Sequence, residues 1–141
     1  MSLIADIADA VVAELNAGSF SVPFTAERLY RPDFELPEMK DLHVSVVPRG
    51  LEMSTAGRAL SQHDVQIDLA VQKKLDAADN AEIDALMGLV EELAEFLGTK
   101  RQFGDAVWVR TENAPVYSQE HLGELRQFTS VLTATLRVVK T

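Results

Sequence analysis

The 141-residue chain contains no cysteine. Disulfide staples, thiolate metal sites and a thiol nucleophile are all excluded, and a reducing compartment is permitted. Basic residues are scarce: 13 Lys and Arg stand against 22 Asp and Glu, a formal charge of −9. A bulk field of that sign repels phosphate, so general nucleic-acid binding is excluded; a local basic patch, or a passage to which DNA must not stick, is not. Long apolar runs are missing too. Nothing approaches the roughly 18 consecutive apolar residues that cross a bilayer, and no membrane association is expected. The opening MSLIADIADAVV has no basic residue before its apolar part and is interrupted by Asp6 and Asp9, so no signal peptide is expected. Glycine is sparse, and Gly50 and Gly57 lack the spacing and the Lys-Ser/Thr tail of a phosphate loop. No G-x-S-x-G nucleophile elbow occurs.

What is present reads as one domain over residues 1–141. Apolar residues at 47% and charged residues at 25% suit an ordinary globular core. No internal repeat is visible. The chain is organised around Asp79–Gly98. Ile83, Leu86, Val90, Leu93 and Leu97 recur at three- and four-residue steps and share one helical face, which Met87, Leu89, Ala94 and Phe96 widen. Asp79 and Glu82 have the spacing of a capping box, and Gly98 offers a left-handed stop. Burying the five large side chains contributes on the order of 7–15 kcal/mol gross. Leu93→Asp is therefore expected to unfold the domain, and Glu92→Lys to leave it intact.

A first helix is expected over Ser2–Ala17, with Ser2 as N-cap and Ile4, Ile7, Ala8, Val11 and Leu15 inward. Phe20–Arg31 reads as an extended edge segment because of Pro23. The stretch 33–38 reads as an acidic loop. Leu42–Val47 is a β-branched strand, interrupted at Pro48-Arg49-Gly50, and Leu51–Leu60 a long hairpin excursion outside the core. Gln62–Leu75 alternates most cleanly, with Val65, Ile67, Leu69 and Val71 on one side. A basic turn (99–104), a short strand around Trp108, a turn at 113–115, a loop or short helix over 117–122 and a strand Phe128–Val139 complete the order. Strands joined by turns, with helices on either side of them in sequence, favour an α+β fold: an antiparallel or mixed sheet with two helices packed on one face.

No chemistry stands out. His43, His63 and His121 lack ligand spacing, so no metal or cofactor is expected. The carboxylates Glu82, Asp84, Glu91, Glu92 and Glu95 lie on the wet side of the central helix, with no environment that would split their pKa values into acid and base. Lys100 and Arg101 offset the helix dipole or meet an acidic partner. Trp108 is core or rim packing, or an interface anchor. No enzymatic activity is expected.

The segments DLHVSVVPRG, HDVQIDLAVQKKLD, the Ala81–Leu97 helix and RQFTSVLTATLRVV, in that order, resemble the neck and tail-completion (tail-terminator) proteins of tailed phages and prophages. The resemblance implies a virion structural subunit that forms a ring, usually a hexamer. It would be assembled in the host cytoplasm. Its partners would be copies of itself, the tail tube protein and head-side connector proteins, with DNA passing through unbound. Under that reading Arg49, Leu51, Met53, Arg58 and Trp108 are candidate interface residues. Glu82, Asp84, Glu91, Glu92 and Glu95, or the 33–38 loop, are candidates to face the lumen. A head-closure protein of the same module and a small acidic protein-binding domain are the alternatives.

Overall fold

The computed structural model describes residues 2–30, 41–75, 80–113, 117–118, 120, 122 and 127–140. The acidic loop at 33–38, Asp79 and His121 fall outside the described residues.

Helix α1 spans Leu3–Ala17, and the Ser2 hydroxyl accepts from the Ala5 N–H, as a capping serine does. Its buried side is Ile7, Ala8, Val11 and Leu15. Among the described residues six strands follow in one sheet: β1 (Ala26–Arg28), β2 (His43–Gly57), β3 (Leu60–Lys74), β4 (Gln102–Phe103), β5 (Ala106–Glu112) and β6 (Gln127–Lys140), with α2 (Asn80–Lys100) between β3 and β4. The spatial order is β1-β2-β3-β6-β5-β4. β1 runs parallel to β2 and every other pairing is antiparallel, so the sheet is mixed and the fold is α+β.

Both helices cover the same sheet face. α1 lies over β1 and β2 and reaches β4, while α2 lies over β6 and β5. Period-two alternation explains why: Val44 and Val46 pair across with Val71 and Leu69, and Leu69, Ile67 and Val65 pair with Leu132, Ala134 and Leu136. All of these are buried, against Leu86, Leu89, Val90, Leu93 and Leu97 of α2. The Lys100 ammonium lies 2.9 Å from Glu14, an ion pair that joins the two helices.

Several expectations change. Among the described residues of the extended Phe20–Arg31 segment only Ala26–Arg28 is strand; Phe20 instead packs its ring against Phe24 and against Phe96 of α2. The Asn16 amide completes the job a ladder would do, donating to the Ala26 carbonyl (3.1 Å) and accepting from its N–H (2.8 Å). Pro48-Arg49-Gly50 does not end its strand. Pro48 pairs with Ile67 and Gly50 with Gln66, so Arg49 is the extra residue of a bulge and β2 runs on to Gly57. Gly98 does not stop α2, which continues to Lys100. Arg101, at φ 62°, takes the left-handed position instead. The Glu82 carboxylate pairs with Lys73 at 2.5 Å; the capping box expected with Asp79 lies outside the described residues. Residues 102–103 of the expected basic turn form β4, and the left-handed Gly104 (φ 61°) makes the turn into β5. Among the described residues no helix is long and apolar enough to cross a membrane.

Candidate interaction surface

Fifteen residues of strand at about 3.3 Å each make the β2–β3 hairpin roughly 50 Å long. The helices do not cover all of it. Leu51 and Met53 stand on the helix-side face, opposite Val65 and His63, yet Leu51 is 45% and Met53 60% exposed. Their inward neighbours Val44 and Val46 on the same face are buried. From Leu51 to Leu60 every residue is exposed, so the excursion is an extension of two core strands past the roof of the core. Arg58 and Ala59 form the tip, with Ala59 at φ 61°. β1 pairs only Val44–Val46, which leaves the outer edge of β2 beyond them without a strand partner among the described residues.

The other sheet face carries polar side chains from β2, β3, β5 and β6. The bulge turns Arg49 across it: the guanidinium donates to Thr133 Oγ1 (3.0 Å), which itself donates to Asp68 (2.7 Å). Arg49 is thus partly occupied within its own chain. Further along, Arg137 grips Asp64 through Nε (2.8 Å) and Nη2 (3.2 Å). That bidentate bond, helped by the positive charge of Arg137, lowers the Asp64 pKa against the opposing effect of burial, and the same bond raises that of Arg137. On this face Ser45 Oγ and Gln72 Oε1 are buried without a hydrogen-bond partner among the described residues.

Beyond Arg137 the polar face turns apolar. Val139 is 53% and Val107 51% exposed, and Leu60 37%. Val107 sits opposite Arg137 and Val139 opposite Gln62, so the three lie on a diagonal across β3, β6 and β5, each within reach of the next. A cleft of about 440 Å³ opens there, lined by Asp105, Val107, Trp108, Val109, Arg137 and Val139. Trp108 forms one wall but is tied inward: its indole N–H donates to Thr111 Oγ1 (2.8 Å) and its ring lies against α2 at Gly98.

The acidic set on α2 divides in two. Glu82 is held by Lys73, and Glu92 accepts from the backbone N–H of Ser21 (3.0 Å) and from its hydroxyl. Asp84, Glu91 and Glu95 are exposed. Glu92 therefore clamps the segment after α1 onto α2, so the expected harmlessness of Glu92→Lys is withdrawn. A second cleft, about 360 Å³ and lined by Ser19, Phe20, Glu92, Glu95, Phe96, Thr99 and Lys100, lies beside this clamp. Lys100 and Arg101 are used locally, on Glu14 and on the Gly98 carbonyl (3.2 Å) respectively. Among the described residues no three His, Asp or Glu side chains come together to hold a metal. His63 pairs with the Ser61 hydroxyl at 3.1 Å.

Sequence reasoning singled out Leu51, Met53 and Arg58 but missed Asp105, Val139 and the exposure of Val107. The missed signal was parity: Val139 falls on the Thr-rich face of β6, where an apolar residue has no core to enter. In comparisons with known proteins, no family model matches the chain and no curated protein matches it.

Proposed function

We propose that this chain is a structural ring subunit of a phage or prophage neck or tail, of the tail-terminator type, capping the tail tube and joining it to the head-side connector. The observation that carries the proposal is the exposure of Leu51 and Met53 on strands whose same-face neighbours are core. Apolar side chains held in register on a strand and left in water favour burial against another protein surface. A hexamer of identical subunits buries such a surface six times with one kind of contact.

The electrostatics support the same reading. Asp84, Glu91 and Glu95 give the chain an exposed carboxylate row on α2, and the net charge is −9. A passage walled by such residues repels DNA and lets it slide, because it offers no cations to replace the phosphate counterions. Partners are then further copies, the tail tube protein and the head-side connector; no catalytic step and no cofactor are assigned.

The test is assembly. Sedimentation and negative-stain imaging of the purified chain, alone and with tail tubes, should give closed rings or ring-capped tubes. A particle that stays monomeric in both settings and instead captures a basic protein would replace this reading with that of a small acidic binding domain. Within an assembled ring, Asp84, Glu91 and Glu95 should line the lumen; their location on the outer wall would remove the proposed role of the carboxylates.

A further inference from the structure

The hairpin and the distal cleft lie on opposite faces and opposite flanks of one sheet. Leu51 and Met53 are on the helix-side face of β2, on the β1 side of β3. Val107 and Val139 are on the other face, carried by β5 and β6 on the far side of β3. A chain cannot fold one onto the other. Two chains can, by overlapping flank on flank.

Resting on the ring reading, we propose that the Leu51/Met53 side of the hairpin of one copy seats in the Val107/Val139 cleft of the next. Charge complementarity argues that the occupant is a second copy. Arg58, at the hairpin tip, and Asp105, on the cleft rim, are both exposed, and neither has a hydrogen bond or ion pair among the described residues. The hairpin offers apolar groups and a cation at its tip; the cleft offers apolar groups and the Asp105 anion on its rim, while its other charged group, Arg137, is held by Asp64. The contact is heterologous, because each copy gives one surface and receives on the other. Repeated contacts of that kind close into a ring when the rotation between copies allows. The overlap is shingled, each sheet covering the bare end of its neighbour.

The absence of cysteine gives a clean probe. The doubly substituted chain Met53→Cys, Val139→Cys should form, on mild oxidation, a ladder of covalent multimers ending at the size of the native ring. Aspartate at Leu51 and Met53 should weaken self-association at least ~30-fold, as should aspartate at Val107 and Val139, the loss expected of central contact residues. All four positions are exposed, and thermal melts check that the variants stay folded. Mixing the two variants leaves one intact hairpin and one intact cleft, so the mixture should stop at dimers. Arg58→Asp should weaken assembly, and adding Asp105→Arg in the same chain should restore it. Rings that form without cross-linking, and that survive both aspartate pairs, would overturn this contact while leaving the ring reading standing. A wild-type chain that never associates, alone or on tubes, would overturn both.

Discussion

The indole of Trp108 lies 3.5 Å from the point where a Cβ on Gly98 would stand, so the last turn of α2 and the bulged strand β5 meet at a glycine that is helical. That contact is ordinary van der Waals distance. Gly98→Ala should therefore fit, and it removes backbone freedom from the unfolded chain. A gain of about 0.5–1 kcal/mol is expected in urea unfolding. Gly98→Leu should push the indole away, lowering stability and changing tryptophan fluorescence.

Leu93 is fully buried and Glu92 beside it is a clamp. Leu93→Asp should abolish the folded state, since it places an unpaired charge in the core. Glu92→Lys should cost about 0.5–1.5 kcal/mol, because it strips the solvent-accessible Ser21 N–H and hydroxyl of their charged acceptor. Glu91→Lys, on an exposed carboxylate, should change the melt by less than about 0.5 kcal/mol and alter only charge-dependent behaviour. Equal melts for the two lysine variants would refute the clamp.

Asn16 holds β1 against the end of α1 with two hydrogen bonds to one residue. Asn16→Ala should cost about 1–2 kcal/mol. Hydrogen exchange should show the Ala26 N–H losing protection while the amides of β3 keep theirs.

The Arg137 bond lowers the pKa of Asp64 in the folded state. A carboxylate lowered on folding binds fewer protons folded than unfolded. Its contribution is therefore complete above the unfolded value, about 3.9, and is lost as pH falls through the lower folded value. Asp64→Asn should lower stability slightly at neutral pH and flatten the acid limb of a stability-against-pH curve below about pH 4. Melts of both proteins from pH 7 to pH 3 should converge at the acid end.

By itself the sequence determined both helices to within a few residues at their ends, the inward sides of β3, β6 and the first half of β2, and the α+β class. Those properties are set by local spacing: three- and four-residue steps in Leu86, Val90, Leu93 and Leu97, two-residue steps in Val65, Ile67, Leu69 and Val71. It also marked Leu51, Met53 and Arg58, because apolar and basic residues between turn signals stand out without any knowledge of their neighbours. Only the tertiary structure decided how far the roof of the core extends. Whether Leu51 is sheltered or bare depends on where α1 and α2 end above β2, and no local pattern carries that length. The same holds for Glu92, whose neighbours along the helix are solvent-facing acids while its partner Ser21 comes from a segment 71 residues away. The cleft at Val107 and Val139 is the product of strand order. Two strands that the chain separates by residues 113–126 are set side by side by the β6–β5 register, and their exposed valines become one surface only there.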